Sequence, residues 1–218
     1  MSKETTARLE IYYSFRSPYS YLAIDRLIAI GRDYDVTIDF RPVRPLALRE
    51  PDFFKRARKQ FLPYLFKDAP REAKRLGAPF GPPQPDPIQM DFETGEVAPD
   101  QPAMTLVMGL AFAAIAEGRG LDFARAVGRS IWGGAENWCA LEVLEKTLRD
   151  AGFDLQTLSG WVEENAETID AMQARNEAAQ LEHHWGVPLM VLNGEPFFGQ
   201  DRIDSLTWRL DQLGLRRD

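Results

Sequence analysis

Two short stretches of this chain carry residue types and spacings that could do chemistry. Ser17-Pro18-Tyr19-Ser20 stands where a β-rich run, Leu9–Ser14, gives way to a helical pattern through Tyr21, Leu22, Ile24, Leu27 and Ile28. Serine at the N-cap and proline at the first helical position make a strong helix start, because Pro18 lacks only an N–H that would have no intrahelical partner. Such a start offers free N–H groups, a hydroxyl and partial positive charge, and so favours an anion. The second stretch, Gly186-Val187-Pro188, enters a late apolar run. Other reactive side chains are scarce. Cys139 is the one cysteine, which excludes an intramolecular disulfide, a dithiol couple and a multi-cysteine metal site. It follows Trp138 in an apolar stretch and reads as a buried, inert thiol. His183 and His184 are adjacent, and successive side chains diverge, so a histidine metal site is not expected. The pair reads as surface or supporting residues beside Gly186.

The 218 residues, 44% hydrophobic and 27% charged, suit one large globular domain or a domain with a sizeable insertion. A net charge of −7 without a basic tail speaks against general nucleic-acid binding. Met1–Glu10 has no apolar core of a signal peptide, and the longest apolar run, Pro102–Ala116, is too short to span a bilayer. The expectation is a cytoplasmic protein with no membrane partner. Charge is uneven: residues 41–75 hold 11 basic and four acidic side chains. That stretch is either a solvated basic helix or an electropositive wall for a small anionic substrate.

The elements that must position these residues follow from periodicity. Val36–Pro42 alternates as a second strand, so the opening is a βαβ unit. From Pro45 to about His184 the pattern is helical, with helices expected over Asp52–Phe66, Pro70–Leu76, Ala103–Glu117, Leu121–Trp132, Trp138–Asp150 and Trp161–His183. Residues 79–102 hold seven of the 15 prolines and must be loop. Val187–Leu192, the turn Asn193-Gly194 and Glu195–Phe198 read as a hairpin with a type I′ turn. Ile203–Leu213 closes as a helix with Gly214 as its stop. A hairpin and one helix cannot make a domain alone, so they should join the first sheet. The fold class is therefore α/β, a βαβ–ββα sheet built from residues 1–44 and 185–218, with a large all-helical insertion over 45–184. Trp132, Trp138, Trp161 and Trp185 are expected to pack the insertion against that sheet.

This order, with proline before the third strand, resembles the thioredoxin fold. There the strand-to-helix junction usually carries Cys-Pro-x-Cys, and the proline before the third strand is cis. Ser17 and Ser20 occupy both cysteine positions, so a disulfide oxidoreductase is not expected. A helix start that favours a thiolate, in a protein with no thiol there, implies a thiol arriving on a ligand; glutathione is the abundant cytoplasmic candidate.

IYYSFRSPYSYLA, together with WGVPLMVLNGEPFFGQDRIDSL, resembles the family of 2-hydroxychromene-2-carboxylate isomerases and kappa-class glutathione transferases. Arg41-Pro42-Val43, the Tyr64-x-x-x-Asp68 pair and the size of the insertion match as well, so the resemblance covers nearly the whole chain. It implies that Ser17 hydrogen-bonds and activates the glutathione sulfur. Val187, before a cis Pro188, would offer its backbone to the cysteinyl unit. Asn176 would be a further glutathione contact, and Gln200, Asp201 and Arg202 would hold the γ-glutamyl end. Tyr19, Tyr64, Arg49 and Lys59 are the residues it suggests for an anionic aromatic substrate. Phe61 stands where isomerase-like members often carry lysine, and Lys59 and Arg49 are the nearest basic substitutes. The implied activity is a glutathione-dependent isomerisation. A kappa-like transferase or peroxidase, or a non-catalytic glutathione- or peptide-binding module, stays open. A homodimer through the helical insertion is implied by resemblance only.

Overall fold

The computed structural model describes residues 7–91 and 93–218. Residues 1–6, part of the amino terminus expected to lack a signal peptide, lie outside them. The chain opens with strand β1 (Ala7–Tyr13), helix α1 (Pro18–Asp33) and strand β2 (Val36–Pro42). Helices α2 (Leu46–Arg49), α3 (Phe53–Arg56), α4 (Phe61–Leu76), α5 (Pro102–Ala116), α6 (Gly120–Trp132), α7 (Leu141–Asp150), α8 (Leu155–Glu164) and α9 (Ala166–Leu181) follow. Strands β3 (Leu189–Leu192) and β4 (Glu195–Phe198), a 3₁₀ turn (Gln200–Arg202) and helix α10 (Ile203–Gln212) close it.

One four-stranded sheet, ordered β2-β1-β3-β4, draws its strands from both ends of the chain. β1 and β2 are parallel, with Ala7 opposite Val36, while β1–β3 and β3–β4 are antiparallel. Asn193 and Gly194 both take positive φ, as the two-residue turn requires. Alternation along β1 sends Leu9, Ile11 and Tyr13 into the main core with α1, α5 and α6, and Tyr12 into a smaller apolar cluster with Val43, Leu189 and Val191. Glu10, Asp39 and the buried Arg41 form an ion network beside Tyr12, on the same face as that cluster. Burial and the bond to Glu10 push the Tyr12 phenol up to about 12. Helix α5 is apolar on nearly every side, and Leu110, Ala111, Phe112 and Ala114 are fully buried. This is the behaviour of a helix inside a core rather than on its edge.

Four helix expectations change. Asp52–Phe66 is broken after Arg56, and α4 runs unbroken from Phe61 through Pro70. Pro70 and Phe66, the residue whose carbonyl loses its N–H partner, are both exposed, so water can serve that carbonyl. Trp161–His183 is two helices: α8 begins earlier, capped by the Asp154 side chain on the Thr157 amide at 2.7 Å, and the chain breaks at Asn165. Trp138 precedes α7 instead of belonging to it. Trp132 and Trp138 are buried and donate to the Phe15 and Pro85 carbonyls at 2.9 and 2.7 Å. Trp185 is 40% exposed, yet its ring lies 5.1 Å from Phe53 of α3 and 6.0 Å from Phe198 of β4, and so packs the insertion against the edge of the sheet. No helix among the described residues is long and apolar enough to cross a membrane.

Candidate functional site

Ser17 is the N-cap of α1 with extended φ and ψ of −95° and 116°, and Pro18 occupies the first turn. Its Oγ accepts the Ser20 amide at 3.2 Å, its own amide donates to the Ser14 carbonyl at 3.0 Å, and it is half-buried. The capping bond uses Oγ as an acceptor only, so the hydroxyl proton stays available to an anion. No acidic side chain lies in the first turn of α1 to offset the positive field of the helix start. Ser20, the second position of the motif, is fully buried, and its Oγ accepts the Ser14 amide at 3.5 Å. Arg16, just before Ser17, forms a two-point ion pair with Asp86 at 2.7 and 3.1 Å. That pair fastens the proline-rich loop to the junction.

The Val187–Pro188 bond is cis. Tyr12, opposite Leu189, sets the register that brings this segment beside the end of β1. Neither the amide nor the carbonyl of Val187 bonds another described residue. Gly186 is required here: a Cβ on it would stand 2.4 Å from the Phe198 ring. Around the segment, aromatic rings form a continuous run. His184 stacks on Phe198 at 3.8 Å, Trp185 lies 5.1 Å from Phe53, and Phe53 meets Phe61 edge-on at 5.8 Å.

The other residues named from the sequence fall in distinct surroundings. Asn176 is buried, and its side-chain amide donates to the Pro42 carbonyl at 3.1 Å. Gln200 is buried, bonded to Arg26 of α1 through Oε1 and to Glu72 of α4 through Nε2 at 3.1 Å. Asp201 and Arg202 are exposed and face each other at 3.7 Å. Gly199, at φ 101°, makes the turn that leads into them, and a Cβ there would lie 2.5 Å from the Asp201 carboxylate. Tyr19 and Tyr64 converge on one acid: their hydroxyls donate to Asp68 at 2.7 and 3.2 Å, and Arg71 completes the group. Burial and the bond to Asp68 push the Tyr19 phenol well up. Burial alone would raise Asp68, but the bonds from Arg71, Tyr19 and Tyr64 hold it below the ordinary carboxylate range. The sequence marked the Tyr64–Asp68 pair; the link from Tyr19 across to α4 was not visible in it.

Lys59 is exposed between α3 and α4. Arg49 donates to the Arg44 and Trp185 carbonyls and to Gln180 Oε1 at 2.9, 3.3 and 2.9 Å. Much of the basic stretch is neutralised locally, by Arg44–Glu177, Arg56–Glu50, Arg71–Asp68 and Arg75–Glu72 among others. A cavity of about 710 Å³ is lined by α2, α5 and α9 residues such as Leu48, Met104, Met108 and Gln173. Neither Ser17 nor Val187 borders it.

Ser17 thus offers a hydroxyl proton at an acid-free helix start, the cis-proline segment an open backbone donor and acceptor, and Asp201 an exposed carboxylate. The chain is 26% identical over 214 residues to 2-hydroxychromene-2-carboxylate isomerase of Pseudomonas putida, covering 94% of this chain and 95% of that protein. It is 25% identical to the enzyme of that name from Sphingobium xenophagum, covering 92% and 96%. A solved structure of 2-hydroxychromene-2-carboxylate isomerase superposes with a TM-score of 0.70 at 23% identity, covering 94% and 95%. Residues 8–211 match the DSBA-like thioredoxin domain. With its four-stranded sheet, its cis-proline segment and that match over nearly its whole length, the chain belongs to the DSBA-like thioredoxin domain family.

Proposed function

We propose that this protein is a glutathione-dependent isomerase of 2-hydroxychromene-2-carboxylate-like aromatic compounds, acting in the cytoplasm by reversible thiolate addition, bond rotation and elimination. The observation that carries the reading is Ser17: its Oγ is engaged as an acceptor by the Ser20 amide, leaving the proton to donate at the start of α1. The shared name of the two curated relatives supports the choice of reaction. When bound, glutathione supplies a nucleophilic thiolate that adds to an unsaturated carbon and leaves again once the former double bond has turned. Ser17 and the α1 terminus hold that sulfur anionic by a hydrogen bond and by the helix field. Val187 pairs with the peptide backbone, and Asp201 takes the ammonium of the γ-glutamyl end. Tyr19, kept protonated by burial and by Asp68, gives its hydroxyl proton to Asp68 and so ties the first turn of α1 to α4.

One observation favours a neighbouring reading. The run Phe61–Phe53–Trp185 next to Val187 is aromatic, and Arg49 has donors engaged by protein acceptors. A wall of this kind suits transfer of glutathione to a planar, uncharged electrophile. Incubating the protein with a 2-hydroxychromene-2-carboxylate and glutathione separates the two. Isomer formation that requires glutathione and returns all of it supports the isomerase. A glutathione conjugate among the products supports the transferase, and no turnover with either class of compound removes both.

A further inference from the structure

The backbone groups that border Val187 are tied to three other parts of the fold. The Trp185 carbonyl accepts from Arg49 Nη2 at 3.3 Å, and the Gly186 carbonyl accepts from Gln180 Nε2 at 2.8 Å. The Gly186 amide donates to His184 Nδ1 at 2.9 Å, and the Pro188 carbonyl accepts the Gly199 amide at 2.9 Å. Across Gly186, Val187 and Pro188, the amide and carbonyl of Val187 are the backbone groups without a partner among the described residues.

Arg49 and Gln180 act as one unit. Gln180 is fully buried, and its two amide ends face opposite demands: Oε1 accepts from Arg49 Nη1 at 2.9 Å, so Nε2 must point to Gly186. Turning the amide over would set its NH₂ against a guanidinium and its oxygen against a carbonyl. Arg49 forms no ion pair among the described residues; its hydrogen-bond partners are two carbonyls and one carboxamide. Burying a cation is unfavourable unless it is hydrogen-bonded, and neutral acceptors are a weaker recompense than a carboxylate. What they provide instead is geometry, since a planar guanidinium can hold three acceptors, in the loop before α2, on α9 and in the segment before Val187, in fixed relation.

We infer that Arg49 and Gln180 are positioning residues, which fix the Gly186–Val187 segment so that the open backbone pair of Val187 docks the cysteinyl unit of a thiol peptide. The inference rests on the glutathione reading and extends the site to two side chains that need not touch the ligand. It also gives Arg49 a role different from the substrate contact expected of it, because the guanidinium faces backbone and carboxamide acceptors.

Two conservative variants test it in the full-length protein. Gln180→Glu keeps an acceptor for Arg49 and adds a counter-charge, but at neutral pH it has no proton for the Gly186 carbonyl. Arg49→Lys keeps the charge, but one ammonium cannot span three separated acceptors. Both should speed amide hydrogen exchange in residues 183–188 while leaving β1 unchanged. Both should also weaken glutathione binding by about five- to tenfold in calorimetry, the size of one lost hydrogen bond. The titration of bound glutathione thiolate should stay where it is, because Ser17 is intact. Unchanged exchange in both variants overturns the inference, and so does faster exchange with wild-type affinity. Wild-type behaviour of Arg49→Lys alone would show that charge rather than geometry matters, and overturns it too. If the unaltered protein fails to bind millimolar glutathione, the glutathione reading falls first and takes the inference with it.

Discussion

Ser17 has two roles that one substitution can separate. As a cap it satisfies the Ser20 amide, and removing it should cost about 0.5–2 kcal/mol of stability in chemical denaturation. As a donor it should lower the pKa of bound glutathione, so Ser17→Ala should raise the thiolate titration seen in the ultraviolet and slow turnover. A stability loss with titration and turnover unchanged would make Ser17 a cap and nothing more. Asp68 gives a second test at this scale. Its native pKa is depressed by Arg71, Tyr19 and Tyr64, so its contribution is complete above the unfolded value of about 4 and is lost as pH falls through the lower native value. Between pH 6 and pH 3 the unaltered protein should therefore lose more stability than Asp68→Asn, measured as the shift in urea midpoint. An equal loss in both would mean that the cluster does not hold the carboxylate. Ser17 and the cis-proline segment were legible because their signals are local: a cap residue before Pro18, and Val-Pro entering a strand. Arg49, Gln180 and Tyr19 were not fully legible, because their meaning lies in partners 131 residues away for Arg49–Gln180 and 49 for Tyr19–Asp68.

Among the elements, the strands and α1 were readable from alternation, turn residues and caps, and β2 falls over the residues expected. The helical block was readable as helix but not as separate helices. Pro70 suggested a start and instead lies within α4, where solvent relieves the lost bond. Asn165 gave no strong break signal, yet it ends one helix and starts the next: its side chain donates to the Trp161 carbonyl at 2.8 Å, and its own carbonyl accepts the Ile169 amide at 2.9 Å. The Asp154 cap on α8 stands apart from Ser17 and Val187 in sequence and shares no bond with either. Asp154→Ala should lower stability by about 1 kcal/mol, read from the denaturation midpoint, with glutathione affinity unchanged. A loss of affinity there would show that α8 is coupled to the site.

At the scale of the whole molecule, the site is shared between segments remote in the chain. Ser17 sits on the first unit, Val187 and Asp201 on the last, and α2, α4 and α9 brace them from the helical block. A chain ending after Leu181 keeps every helix from α1 to α9 but leaves β1 without its β3 partner, an open edge beside the apolar Tyr12 and Val43. It should retain helical circular dichroism, lose cooperative unfolding and fail to bind glutathione. Cooperative unfolding in that truncated chain would show that the helical block is stable by itself. Closure of the sheet is also an event in time. The Arg8 amide meets the Asn193 side chain across 185 residues, so during synthesis β1 waits, edge uncovered, while the whole helical block emerges. Because closure entropy rises only with the logarithm of loop length, that separation is tolerable for the finished fold. For the nascent chain it means a long interval in which chaperones or aggregation partners compete for the same edge, and the proposed site is completed in a single late step.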